Sequence, residues 1–220
     1  MKPTANIIVL FALIPVIYSQ APILPRPDGY VYHNGSPEAP IHMEAFIDLA
    51  CPDCKTAWPI LKKLADSYGP NKLRMTFHIN PLVYHRQAYY AAMGVRALVA
   101  ANVSVHDLFN YMDAVFKNQS EFYNKPTLKM SGLQVIQAYA KLAHKAAGIS
   151  AMKFANALQN SGIDHTTRLS SKLAWERGVT GTPSFFINGI RVIGQSNWTV
   201  KQWKKVIDPL LKTKFPRLEL

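Results

Sequence analysis

The two cysteines of this 220-residue chain stand close together in the sequence Cys51-Pro52-Asp53-Cys54. Cysteines at this spacing can form a thiol–disulfide redox pair, half of a zinc site, or a structural disulfide or pair of inert thiols. A zinc site would need two further ligands, but there is no other cysteine, and the seven histidines are dispersed without metal-ligand spacing. A chain of this length does not need a disulfide between near neighbours to hold its core. We therefore favour the redox role and expect neither a metal nor another cofactor.

The predicted start of a helix gives each cysteine a different task. Pro52 suits the first helical turn, because its missing N–H would be unpaired there in any case. Cys51 would then lie over the open N–H groups of the helix N-terminus, whose partial positive charge favours the thiolate. Cys54 would lie about one turn further on and deeper. We predict Cys51 as the attacking thiol, Cys54 as the resolving thiol, and a reversible Cys51–Cys54 disulfide between them.

The residues around this motif predict a βαβ unit. Residues 41–49 alternate between apolar and polar side chains, as a half-buried strand does. Apolar residues then recur at helical spacing until Gly69-Pro70, which ends the predicted helix. Residues 73–79 alternate again and end at Asn80-Pro81, which predicts a second strand.

The rest of the chain predicts a helical block followed by a hairpin and a closing helix. Helical patterns replace strand patterns from about residue 84 to 178, and the last predicted helix, from about 166 to 177, is expected to pack on the sheet. Strand patterns return at 184–187 and 190–193, joined by the turn sequence Asn188-Gly189. Thr199 and Gln202 resemble a capping box in front of the closing helix. The fold class predicted by this order is α/β.

Two separated motifs resemble the DsbA-like thiol–disulfide oxidoreductase branch of the thioredoxin superfamily: Phe46-x-Asp48-x-x-Cys51-Pro52-x-Cys54 and Gly178-Val179-x-Gly181-Thr182-Pro183-x-Phe185-x-Ile187-Asn188-Gly189. The resemblance covers roughly residues 38–212. It implies a thioredoxin-like fold (βαβ…ββα) with an inserted all-helical subdomain. It also implies a cis Pro183, with Thr182 and Pro183 facing the Cys51 sulfur and an extended substrate pairing with the backbone beside them.

The sequence patterns and the resemblance together give the predicted domain boundaries. Residues 1–21 are a signal peptide, 22–83 the first part of the thioredoxin-like domain, and 84–178 the helical insertion, including the helix that packs on the sheet. Residues 179–214 form the second part of the domain, and 215–220 form a tail.

Four residues near the cysteines are expected to tune their pKa values: Pro52, Asp53, Glu44 and Asp48. Thioredoxin-like proteins usually bury a carboxylate six residues before the first cysteine, where this chain has Ala45. Glu44 or Asp48 could take that role through a shifted backbone, or water could, although we favour Asp48 as a polar turn residue that holds the motif. Strong oxidases of this class often have His at position 53, so Asp53 predicts a higher Cys51 pKa and a less oxidising disulfide.

We expect a secretory-pathway enzyme that exchanges disulfides with protein substrates and an unidentified redox partner, acting as a monomer. The direction, whether oxidase, reductase or isomerase, does not follow from the sequence. The alternatives are a thioredoxin-fold binding or chaperone module without redox turnover, and a glutathione-linked enzyme acting on small thiols.

The prediction of secretion is based on candidate targeting signals at the two ends of the chain. Lys2 precedes an apolar run over residues 7–18, which fits a signal peptide cleaved near Ser19 or Ala21, with a membrane anchor as the alternative. No later segment is apolar enough to span a membrane. The sequence Arg217-Leu218-Glu219-Leu220 resembles an endoplasmic-reticulum retention signal, although Leu218 replaces an acidic residue, so retention and secretion both stay open. Candidate N-glycosylation sites are Asn34, Asn102, Asn118 and Asn197.

The chain is strongly basic, with a net charge of +12 at pH 7. Nucleic acid is the usual partner of such a charge, but no nucleic-acid motif is present and a secreted protein rarely meets one. We interpret the charge as a solvated basic surface, with acidic client proteins or anionic surfaces as alternatives.

Overall fold

A computed structural model describes residues 27–212 of the chain. The predicted signal peptide and the last eight residues, including the retention-like sequence, lie outside the described residues. Among the helices within 27–212, none combines the length and the apolar character needed to cross a membrane.

Five strands form one mixed sheet in the order β1-β3-β2-β4-β5. The central pair β2 and β3 is parallel, because the helix between them crosses over, and the other neighbouring pairs are antiparallel. β2 ends at position 47, two residues earlier than its alternating pattern predicts. The strands are β1 (Tyr30–Val31), β2 (Ile41–Ile47), β3 (Leu73–Ile79), β4 (Ser184–Ile187) and β5 (Ile190–Val192).

Seven α-helices accompany the sheet in residues 27–212, and side-chain caps lie at the start of several of them. Ser131 and Gln134 form a full capping box, and the Ser104 hydroxyl accepts the N–H of Asp107. The helices are α1 (Pro52–Tyr68), α2 (Ala88–Ala100), α3 (Val105–Lys117), α4 (Gly132–Ala147), α5 (Ala151–Ala157), α6 (Ser161–Glu176) and α7 (Val200–Lys212).

The start of α6 corrects one prediction. The helix begins at Ser161 rather than near residue 166, because the Asn160 side chain accepts the N–H groups of Gly162 and Ile163 and caps an earlier turn. That first turn contains Ser and Gly and carries no apolar stripe, so the helical period is not visible there.

The sheet separates two apolar clusters. Ala45 and Ile47 of β2 belong to the main cluster, together with Cys54 of α1 and Trp203 of α7. Phe46 points to the opposite face, where it packs in a smaller cluster with Ala174 of α6, Val179 and Phe186. The strand alternation therefore assigns α1 and α7 to one face of the sheet and α6 to the other.

The register of the sheet brings three loops to one edge. Ile47 pairs with Ile79 at the carboxyl ends of parallel β2 and β3, so residues 48–51 and 80–87 leave the sheet side by side. Phe46 pairs with Ser184 at the start of antiparallel β4, so residues 178–183 arrive at the same edge. Both sequence motifs therefore meet at this edge of the sheet.

Candidate active site

Cys51 occupies the N-cap position of α1, with Pro52 as the first helical residue. Its thiol is only 5% exposed and donates to the carbonyl oxygen of Thr182 across 3.3 Å. Both cysteines are free thiols, so the structure shows the dithiol form of the predicted redox pair.

The surroundings of Cys51 favour its thiolate. The largest effect is a hydrogen bond from the Cys54 thiol, which outweighs burial; the backbone N–H of Cys54, Thr182 and the backbone N–H of Asp53 add to it. Together they lower the pKa of Cys51 to about 6. A thiol with this pKa is mostly ionised at neutral pH and can act as a nucleophile.

Cys54 has the opposite character. It is fully buried, and burial, followed by its hydrogen bond to Cys51, raises its pKa well above the ordinary value. Its sulfur accepts the backbone N–H of Asp48 at 3.3 Å. One ionised, reachable thiol in front of one protonated, buried thiol is the asymmetry expected of an attacking and a resolving cysteine.

The segment before β4 faces the thiols. The Thr182–Pro183 peptide bond is cis, the isomer that the family resemblance implies. Within residues 27–212 the buried Thr182 hydroxyl has no hydrogen-bond partner, yet it lies close enough to lower the pKa of both cysteines. The Ser184 hydroxyl donates to Gly181 O at 2.7 Å and helps to fix the turn.

Asp48 is completely buried and ties two loops together. Its carboxylate accepts the backbone N–H of Ala50 at 2.8 Å and that of Leu82 at 3.1 Å, and it pairs with Nδ1 of His85 at 2.6 Å. The β2–α1 loop that carries Cys51 is thereby fastened to the β3–α2 loop. Asp48 therefore contacts both loops, and its turn-holding role stays a prediction.

Glu44 is not brought to the thiols. Its side chain lies on the α6 face of the sheet, where Arg177 donates to both carboxylate oxygens at 2.5 and 2.8 Å and His78 Nε2 lies 3.0 Å away. Burial alone would raise the pKa of Glu44, but the Arg177 and His78 bonds lower it to about 2. The carboxylate is therefore committed to an ion-pair network on the other face.

Asp53 is exposed on the first turn of α1. Its carboxylate accepts the Ser196 hydroxyl at 3.2 Å, so the side chain is drawn towards the loop between β5 and α7. Its backbone N–H, by contrast, lowers the Cys51 pKa. The effect of the Asp53 side chain on the thiolate stays a prediction.

Gln119 is a site residue that sequence reasoning missed. It lies in the 3₁₀ turn after α3, and its buried amide donates to the carbonyls of Leu49 at 3.0 Å and Cys51 at 2.9 Å, while Tyr123 donates to its oxygen. The helical block therefore holds the cysteine loop directly. No local pattern marks this residue.

His85 was missed as well. It follows the strand end at Asn80-Pro81, and a rule that loops leaving neighbouring parallel strands lie together could have placed it beside Asp48.

Three of the four sequon asparagines, Asn34, Asn102 and Asn197, are exposed. Asn118 is half-buried and its amide donates to Ala114 O at 2.7 Å, which leaves it less available to a glycan.

The sheet order, the helical insertion and the paired cysteines at the start of α1 define a thioredoxin-like protein with a Cys-x-x-Cys site. A family model described as thioredoxin matches residues 28–209, and the chain belongs to this family, as a DsbA-like member. No curated protein matches the sequence.

Solved structures share this architecture. Alpha-DsbA1 of Wolbachia pipientis is 25% identical with a TM-score of 0.67, over 86% of this chain and 93% of that chain. DsbA2 of Pseudomonas aeruginosa is 21% identical with a TM-score of 0.62, over 87% of this chain and 98% of that chain. BdbD of Bacillus subtilis is 16% identical with a TM-score of 0.66, over 85% of this chain and 100% of that chain. The similarity to DsbA2 and to BdbD shows a shared fold and nothing more.

Proposed function

We propose that the protein is a secretory-pathway thiol–disulfide oxidoreductase that exchanges disulfides with protein substrates through Cys51 and Cys54. The observation that carries the proposal is the asymmetry of the pair: Cys51, with a pKa of about 6, faces the Thr182 carbonyl across 3.3 Å, and Cys54 is buried behind it.

The reaction uses the two thiols in turn. The Cys51 thiolate attacks a sulfur of a substrate disulfide, an S–S bond forms between enzyme and substrate, and one substrate sulfur leaves as a thiolate. Cys54 then loses its proton and attacks the Cys51 sulfur, which releases the second substrate thiolate and leaves a Cys51–Cys54 disulfide. The substrate gains two electrons and the enzyme loses two; the reverse sequence oxidises a substrate dithiol. The Asp48 N–H favours the Cys54 thiolate when it forms.

The surface beside the site suits a polypeptide better than a small thiol. In the β3–α2 loop, which Asp48 ties to the cysteine loop, Val83 is 88% and Tyr84 62% exposed. Exposed apolar side chains of this size offer contact area to an unfolded segment, whereas glutathione is small and charged. An extended substrate could also pair with the backbone at Thr182.

The secretory location rests on the sequence: Lys2 with the apolar run at residues 7–18, together with the sequons, of which those at Asn34, Asn102 and Asn197 have exposed side chains. Localisation of the full chain and of a form without the last four residues would distinguish secretion from retention. We propose a monomer with an unidentified redox partner.

A trapping experiment tests the function. The Cys54→Ser protein, incubated with secretory extract, should accumulate mixed disulfides with other proteins that disappear on reduction. The matched control, Cys51→Ser, should trap none, because its remaining thiol is buried and protonated. Wild-type protein should also reduce or oxidise a model protein disulfide, and the faster direction assigns its role.

Two outcomes would contradict the proposal: no trapping by Cys54→Ser, and no turnover by the wild type. Suppression of aggregation by a protein lacking both thiols would then favour the binding-module alternative.

A further inference from the structure

His85 joins the buried carboxylate of Asp48 to the surface beside the thiols. Its Nδ1 lies 2.6 Å from Asp48 Oδ2, and its side chain is 20% exposed whereas that of Asp48 is 0% exposed. The neighbouring Tyr84 ring lies in a T-shaped arrangement with the imidazole, with ring centroids 4.7 Å apart. The hydrogen bond to Asp48 orients the imidazole.

The carboxylate of Asp48 favours the protonated form of this imidazole. A fully buried carboxylate is costly unless it is compensated, and two backbone N–H groups compensate only part of its charge. The hydrogen bond to Asp48 is the largest influence on His85 and raises its pKa, against the opposing effect of burial.

His85 also lies within electrostatic reach of Cys51. It lines a cavity together with Ala50 and Pro52, the residues on either side of Cys51. The negative charge of the Cys51 thiolate is among the causes that raise the pKa of His85. A thiolate that stabilises an imidazolium is itself stabilised by it to the same extent, because such coupling is reciprocal.

Asp48 and Cys51 are the negative groups that raise the His85 pKa. His85 lines two cavities, and none of the residues that line them within 27–212 is acidic; their charged members are Arg86, Arg168, Lys172 and Lys125. Asp53, the remaining acid of the cysteine loop, is exposed and bonded to Ser196.

We propose that His85, held by Asp48, supplies at the Cys51 thiolate the positive charge that the Pro52-Asp53 dipeptide lacks. The cation comes from the β3–α2 loop instead of from the helix turn between the cysteines. The inference rests on the proposed function, in which Cys51 acts as the nucleophile, and Asp48 is a positioning residue that acts through His85.

The first test separates the charge of His85 from its hydrogen bond. His85→Gln keeps an N–H donor for Asp48 but cannot carry a proton charge. The Cys51 pKa, followed by ultraviolet thiolate absorbance and by the pH dependence of alkylation, should rise by a few tenths of a unit, which is roughly twofold less thiolate well below the pKa. The control is His33→Gln. His33 also pairs with an aspartate, Asp66, at 3.2 Å, but Asp66 lies roughly 20 Å along α1 from Cys51. It should leave the Cys51 pKa unchanged.

The second test reads the same coupling from the other side and does not need the His85 variant to fold. The His85 ring is titrated by NMR in the reduced wild type and in Cys51→Ala. Its pKa should be lower in Cys51→Ala, by the amount that His85→Gln raises the Cys51 pKa.

An unchanged Cys51 pKa in a folded His85→Gln protein, or an unchanged His85 titration in Cys51→Ala, would overturn the inference. Both tests are equilibrium titrations and do not involve a substrate. If both pKa shifts occur but Cys54→Ser traps no protein, the inference about His85 stands and the proposed function is wrong. If trapping succeeds but neither pKa shifts, the proposed function stands and the inference about His85 is wrong.

Discussion

The low pKa of Cys51 predicts that the dithiol form of the protein becomes more stable as the pH rises from 5 to 8. The pKa of this thiol is about 6 in the folded protein, against 9.0 for an unperturbed thiol. A group whose pKa is depressed by folding contributes its full stabilisation above the unfolded pKa and loses it as the pH falls through the folded pKa. Cys54 contributes little in this window, because its raised pKa keeps it neutral in the folded protein and an unperturbed thiol, with a pKa of 9.0, is mostly neutral below pH 8 in the unfolded chain.

The size of the effect follows from the two pKa values. A difference of about three units corresponds to about 4 kcal/mol when both states are compared above pH 9. The same pKa values give almost no contribution at pH 5, about 1 kcal/mol at pH 7 and about 3 kcal/mol at pH 8. Because a disulfide cannot ionise, this stabilises only the reduced protein, and at pH 7 it makes the disulfide more oxidising by about 30 mV.

The assay compares urea unfolding of the reduced wild type with that of Cys51→Ser, whose hydroxyl does not ionise. The difference between their unfolding free energies should grow by about 1 kcal/mol from pH 5 to pH 7 and by about 3 kcal/mol from pH 5 to pH 8. Alkylation of Cys51 should reach half its maximal rate near pH 6. A difference that stays constant across this range, with half-maximal alkylation above pH 8, would refute the reasoning.

Three further substitutions test individual contacts of the site. Asp53→His should lower the Cys51 pKa and raise the reduction potential measured against glutathione, because an acid is replaced by a cation beside the thiolate; an unmoved potential would show that the Asp53 side chain has no influence. Thr182→Val keeps the side-chain shape but removes the hydroxyl, so the Cys51 pKa should rise by about half a unit, and a fall would contradict the role given to that hydroxyl. Gln119→Ala removes two hydrogen bonds to buried carbonyls and should cost about 1–3 kcal/mol in urea unfolding and slow turnover. The control Gln159→Ala, on an exposed glutamine, should cost little, and equal losses would mean that Gln119 has no special hold on the cysteine loop.

Local patterns predicted the order of the elements. The parallel strands β2 and β3 were visible from their alternating patterns, and α7 begins directly after the Thr199–Gln202 capping box that the sequence predicts. The start of α6 was not visible, because an Asn cap and a turn of small polar residues carry no apolar period. Element boundaries thus followed the sequence wherever one local signal decided them.

The site was predictable only as far as its motifs reach. Cys51, Cys54 and Thr182 were found because their motifs identify them, but His85 and Gln119 act through contacts across 37 and 68 residues of chain. Such contacts depend on which loops leave the same edge of the sheet. They become visible only once the register of the strands is known.

The carboxylate expected near the thiols shows how strand parity governs the electrostatics. Successive side chains of β2 point to opposite faces, so Ala45 faces the cluster that contains Cys54 and Glu44 faces α6. On that face Glu44 shares His78 with Asp28, and the pKa values of both carboxylates are lowered by their partners, so neither can exchange protons with the thiols at neutral pH. The alternation of side chains along β2 does not govern Asp48, because Asp48 follows the end of the strand and the loop turns its carboxylate inward. The only fully buried carboxylate beside the cysteines, within residues 27–212, is therefore one that strand periodicity does not predict.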